Sequence, residues 1–108
     1  MSQDKITRSP LDELKLAEVR VRLIGAELIA IENKDEVLDI ISASENIAKA
    51  QSDLETRFNI DHEQSTRIVQ MRFGNLSKRR ATETREEYNQ LLAVIRNLKD
   101  DLSKTPKI

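Results

Sequence analysis

Apolar residues recur at alternating spacings of three and four through the N-terminal part of the chain, at Leu14, Ala17, Val21, Ile24, Leu28 and Ile31. This heptad seam predicts a long helix running to about Glu32. Ser9-Pro10-Leu11-Asp12 supplies its start, with Ser9 as the cap, Pro10 at the first helical position and Asp12 at the positive helix end. Gly25 interrupts the seam, lowering helix propensity but admitting a close neighbour. A second seam at Tyr88, Leu91, Ile95, Leu98 and Leu102 predicts a helix from about Lys78 to about Ser103, capped by Ser77.

Shorter apolar groups lie between the seams. Asn33 with Glu36 reads as a cap opening a short helix that carries Val37, Leu38, Ile40 and Ile41. Ser42 and Ser44 break it. A third helix runs through Ile47, Ala48, Ala50 and Leu54 toward Phe58, with Asn59 as a left-handed terminator. Asp61 and Gln64 form a capping box for a fourth helix through Ile68, Val69 and Met71, ended by Gly74-Asn75. The predicted fold is all-α: an antiparallel coiled-coil arm of the two long helices, about 35 Å long at ~1.5 Å per residue, with a three-helix knob at its tip. Residues 1–8 are polar and unpatterned and read as a disordered tail, leaving 9–108 as one domain.

Composition agrees with this picture. Only 2 Gly and 2 Pro occur in 108 residues, so turns are few, and 3% aromatic content leaves the core to Leu, Ile, Val and Ala. A core of this size gains much from pairing with a second copy. A formal net charge of −1 does not mark a nucleic-acid or membrane binder. No run approaches the ~20 apolar residues of a membrane span, and there is no signal-peptide stretch, so the expected location is cytoplasmic or nucleoid-associated. The absence of cysteine removes disulfides, thiolate nucleophiles and thiol metal sites.

Three segments carry a resemblance. Ala30-Ile31-Glu32-Asn33-Lys34-Asp35-Glu36-Val37-Leu38-Asp39-Ile40-Ile41, then Arg57-Phe58-Asn59-Ile60 with Gln64, Ile68, Met71, Arg72 and Leu76-Ser77, and then Glu87-Tyr88 with Leu91 resemble, in order and spacing, the exit-gate (C-gate) and coiled-coil region of the DNA gyrase and topoisomerase IV A-subunit family. The resemblance spans roughly residues 20–100. It implies a homodimer whose two knobs meet across a two-fold axis, with Gln64, Ile68, Met71, Arg72 and Leu76, which match the motif, as the candidates for building it and Arg67 beside them on the same helix. The chain departs from the family pattern by Lys34 at an apolar place, Arg67 at a small-residue place, Phe73 for Leu, Gly74 for a longer side chain, and Arg79 where Leu often follows the cap. These changes add charge to the gate region.

The family's ATP-dependent strand passage is not expected from this chain alone, and the expectation is a non-catalytic dimerisation or protein-interaction module. The family cleaves DNA with a tyrosine, an adjacent arginine and Mg²⁺ on a carboxylate cluster. The single tyrosine, Tyr88, lies in a seam and is expected to be a packed ring. Asp100-Asp101 are adjacent on a helix and do not converge on one ion. The single histidine, His62, stands in a first helical turn with no second ligand suitably spaced, so no metal, and no cofactor, is expected. Neither glycine belongs to a phosphate-cradling loop.

Between Gln64 and Arg85, Arg67, Arg72, Lys78, Arg79, Arg80 and Arg85 face a single acid, Glu83, an excess of five positive charges. Lys78, Arg79, Arg80 and Arg85 form a candidate contact patch for phosphates or an acidic partner. The plainer reading, a solvated helix start balanced by Glu86, Glu87 and Asp35, is favoured because no aromatic stacking platform accompanies the charge, so any DNA contact is expected to be weak. The rival role is a free-standing gate-like protein that binds another protein, either as a regulator forming mixed dimers with a resident gyrase or as a repurposed adaptor. Met1 and the unpatterned tail fit a short natural protein, and equally an introduced start.

Overall fold

The computed structural model describes residues 9–104; the expected tail of residues 1–8 lies outside that range. All secondary structure of the described residues is helical, and they span 58 × 31 × 27 Å. Helix α1 covers Pro10–Glu32. The Ser9 hydroxyl caps it by accepting from the Asp12 backbone N–H at 3.1 Å, and Pro10 sits where a missing N–H costs nothing. Helix α2, Lys34–Ala43, follows after one residue.

That residue corrects one expectation. Asn33 makes no side-chain cap to α2; its backbone N–H and its side-chain amide both donate to the Ile29 carbonyl at 2.9 Å, closing α1. Side-chain capping of a helix start needs an extended backbone. With ψ at 35° and no intervening loop, Asn33 serves the helix it ends.

Helix α3, Ile47–Phe58, starts from the Asn46 side chain, which accepts from the Lys49 N–H at 2.9 Å. It ends at Asn59, which adopts φ 55°, ψ 52° as expected of a left-handed terminator. Helix α4, His62–Val69, opens with the expected capping box: Gln64 N–H donates to Asp61 at 2.9 Å and Asp61 N–H to the Gln64 side chain at 3.1 Å. It stops before Met71, which the apolar spacing places inside it. The Met71 N–H tightens onto the Ile68 carbonyl at 3.1 Å, and the chain then enters a single 3-10 turn over Phe73–Leu76. Gly74-Asn75 therefore belong to this turn and do not end α4. The Asn75 side chain fixes the turn by accepting from the Arg72 N–H at 3.0 Å. Helix α5, Lys78–Ser103, begins under the Ser77 hydroxyl, which accepts from the Arg80 N–H at 3.2 Å.

The side-chain pairs Glu18–Lys99, Arg20–Glu87 and Arg85–Glu32 join α1 to α5. As the α1 number rises the α5 number falls, so the two long helices run antiparallel. Leu14, Ala17 and Ile95 form one apolar cluster between them, flanked by Val21, Leu91, Leu98 and Leu102. A second cluster, Ala26, Ala30, Val37, Leu54 and Ile68, lies where α2, α3 and α4 close on the other end of α1. The alanines let these helices approach, which is why the C-terminal half of α1 is buried on more than its seam. Midway, the Tyr88 ring lies against Gly25; a Cβ on that glycine would stand 3.3 Å from Tyr88 Cε1. Glycine there costs ~1 kcal/mol of helix propensity and provides room for the ring.

Candidate functional site

An open groove of about 440 Å³ lies between α2 and the α4–turn segment, with Val37, Leu38 and Ile41 on one wall and Met71 and Leu76 on the other. Ile68 and Ala30 meet it from the core. Phe73 stands on its edge, 80% exposed, carried by the 3-10 turn. The rim carries both signs: Lys34 and Arg72 are basic and Asp39 acidic.

The six residues assigned by resemblance to the gate do not stay together. Met71, Arg72 and Leu76 line the groove, and Ile68 lines it from a core position only 3% exposed. Gln64 lines a separate hollow of about 350 Å³ with Arg85 and Tyr88. Its amide donates to the Arg22 carbonyl at 3.0 Å, tying α4 to α1. Arg67 turns to Glu27, Nε to Oε2 at 2.5 Å.

Glu27 is the residue that the sequence reading missed. Its side chain is 8% exposed and receives Arg67 from α4 and, at 4.0 Å, Arg80 from α5, so one carboxylate joins three helices. The signal was present: Glu27 is the lone charge in the apolar run Gly25–Ile31, and a charge in such a run is rarely buried without a partner.

The basic patch also finds partners. Arg79 and Arg80 reach Glu83, at 3.3 and 3.9 Å, and Arg85 pairs with Glu32. Cations near the start of α5 oppose the helix dipole, and these carboxylates offset that. Lys78 has no ion pair among the described residues. Tyr88 is a half-buried ring against Gly25. His62 is exposed in the first turn of α4, with Nδ1 3.0 Å from Glu55 Oε2. Among the described residues no group of His, Cys, Asp and Glu is arranged to hold a metal ion, and no helix is long and apolar enough to cross a membrane.

Two carboxylates brace α4. Glu55 is held below the usual carboxylate range, chiefly by the Ser65 hydroxyl and then by His62. Asp61 is held low by the Gln64 backbone N–H and by Arg22. A carboxylate depressed in the folded state contributes stability above its unfolded pKa, and this is lost as pH falls through the folded value. The melting midpoint should therefore drop as pH is lowered below about 4. Asp61→Asn keeps an oxygen for the cap, so circular-dichroism melts should give it a lower midpoint at pH 7 and a shallower acid slope. An unchanged slope would place the acid sensitivity elsewhere.

Residues 3–108 match the family described as the A subunit of DNA gyrase/topoisomerase IV. The DNA gyrase A subunit of Fibrobacter succinogenes is 40% identical over 101 residues, covering 94% of this chain and 11% of that protein. Its counterpart from Streptococcus pneumoniae is 37% identical over 103 residues, and that from Streptococcus pyogenes 38% over 103, each covering 95% of this chain and 12% of the relative. The chain thus spans about one-eighth of the length of these relatives. With a match across nearly its whole length and an all-helical fold that carries the matching segments in order, the chain belongs to the DNA gyrase/topoisomerase IV A-subunit family.

Proposed function

We propose that the chain is a non-catalytic dimerisation module of the exit-gate type. The antiparallel pair α1–α5 serves as a coiled-coil arm, and α2, α3, α4 and the 3-10 turn form the knob. The observation that carries this reading is the open apolar groove with Met71, Arg72 and Leu76 on its wall. These residues come from the segment that resembles the family's gate, and family membership supports the same role. The half-buried position of the Tyr88 ring against Gly25 supports a structural role for it. The internal pairing of Arg67, Arg79, Arg80 and Arg85 supports at most weak DNA contact. The proposed setting is the cytoplasm, where a topoisomerase meets DNA.

Light scattering over a concentration series tests this. The chain is expected to be a dimer, and Met71→Arg, which places a charge in the groove wall, is expected to leave a monomer with unchanged helical content. A wild-type chain that stays monomeric at every concentration would overturn the reading. The purified chain is expected to leave supercoiled plasmid uncut with ATP and Mg²⁺; cleavage would refute the non-catalytic assignment.

A further inference from the structure

The single histidine of the chain ends a hydrogen-bonded relay between α3 and α4. Gln51 donates to the Ser65 hydroxyl at 3.1 Å, Ser65 donates to Glu55 Oε2 at 2.6 Å, and the same oxygen lies 3.0 Å from His62 Nδ1. Ser65 is fully buried, while the His62 side chain is 77% exposed. The relay thus starts in the interior and finishes in water.

Its chemistry fixes the state of the ring. An ionised carboxylate can only accept hydrogen bonds, and Ser65 and His62 together hold Glu55 below the usual carboxylate range. Nδ1 therefore carries the proton of the contact, and the neutral ring keeps its lone pair on Nε2. Nε2 has no hydrogen-bond partner among the described residues. A carboxylate behind one ring nitrogen orients an imidazole and raises the basicity of the other. A nucleophile, a partner group and a third residue that orients the partner make an activated side-chain nucleophile; His62, Glu55 and Ser65 supply all three.

The surroundings admit an anionic electrophile. The flanking carboxylates Asp61 and Glu63 are both engaged by Arg22. His62 is the first residue of α4, at the positive end of the helix. A shallow hollow of about 270 Å³ is lined by His62 with Thr66, Arg67 and Gln70, whose side chains carry hydrogen-bond donors.

We propose that His62 is a covalent modification site whose Nε2 accepts the phosphoryl group of a small acyl phosphate. Such a donor brings its own good leaving group, a carboxylate, and needs no nucleotide pocket. The Nε2 lone pair forms the P–N bond, the P–O bond to the acyl group breaks, and the carboxylate departs with that electron pair. The proton stays on Nδ1, and the negative charge of Glu55 balances the cationic ring, as a carboxylate does for any imidazolium it holds.

Acetyl phosphate is the probe. Intact-mass spectrometry of the 108-residue chain is expected to show one added phosphoryl group, and phosphorus NMR a phosphoramidate on Nε2. His62→Gln abolishes it, since no other histidine is present. The folded chain reacts about tenfold faster than N-acetylhistidine methylamide, and Glu55→Gln, which keeps an acceptor for Nδ1 but removes the charge, loses about tenfold, the scale of removing the carboxylate behind a histidine. Circular dichroism reports the fold of each variant. A pair that only braces α3 against α4 would leave the rate at that of the model compound. Transfer no faster than to the model compound, transfer to Nδ1, or a folded Glu55→Gln that reacts like wild type overturns the proposal. Should Glu55→Gln unfold, the wild-type chain in urea replaces it: a rate that does not fall to that of the model compound on unfolding equally overturns the assignment.

Discussion

Leu54→Ala is expected to lower the free energy of unfolding by about 2–5 kcal/mol, the range for deleting a fully buried leucine without collapse of the surroundings. Leu54 is completely buried in the cluster formed with Ala26, Ala30, Val37 and Ile68. It is also the main anchor of α3, whose only other buried residue is Ala50. A helix of 12 residues is marginal by itself in water, so α3 depends on this side chain to stay against α2 and α4. Alanines already occupy neighbouring positions and have no longer side chain to swing into the void. For a domain whose total stability is of the order of 5–15 kcal/mol, this loss is a large fraction. Urea denaturation read by circular dichroism checks it. A change below ~1 kcal/mol would mean that the packing around Leu54 closes on truncation.

Glu27→Ala is expected to cost about 2 kcal/mol, within the range for hydrogen bonds to charged groups. The value sits below that for breaking a wholly buried ion pair, because the Arg67 and Arg80 side chains are 39% and 43% exposed and can turn toward water. Arg80 has a buried Nε with no hydrogen-bond partner among the described residues, and its guanidinium is shared between Glu27 at 4.0 Å and Glu83 at 3.9 Å, so Glu27→Ala leaves it one carboxylate. Glu27→Gln retains the shape and loses the charge, and should lie between wild type and Glu27→Ala. A double-mutant cycle with Arg67→Ala should be non-additive, since both changes remove one contact. Additive effects would show that Glu27 and Arg67 are energetically independent despite their 2.5 Å separation.

The starts of α1, α4 and α5 were legible because they rest on local chemistry. Ser9, Ser77 and the Asp61–Gln64 box each act within three residues of themselves, and each caps where expected. The spacing of Leu14, Ala17, Ile24, Leu28 and Ile31 likewise marks buried positions of α1. Asn33 was misread because its role depends on how soon the next helix starts, and a capping pattern does not encode that distance. The end of α4 was placed late because Met71 continues the apolar spacing while the backbone has already left the helix. The resemblance groups Met71, Arg72 and Leu76, which line the groove, with Gln64 and Arg67, whose side chains meet Arg22 and Glu27 within the chain. Their separation is a property of how α4 rests on α1. The spacing of residues in α4 alone contains no information about it.

The seat of Tyr88 on Gly25 also bears on mechanics. Longitudinal sliding of α5 by one helical turn would bring the ring over Val21 or Ile29, whose branched side chains fill the space that glycine leaves open. Sliding is therefore sterically blocked at mid-length, and the cross-links Glu18–Lys99 and Arg85–Glu32 fall out of step with it. Relative motion of the paired helices at that level is therefore expected as bending or rotation rather than as axial slip.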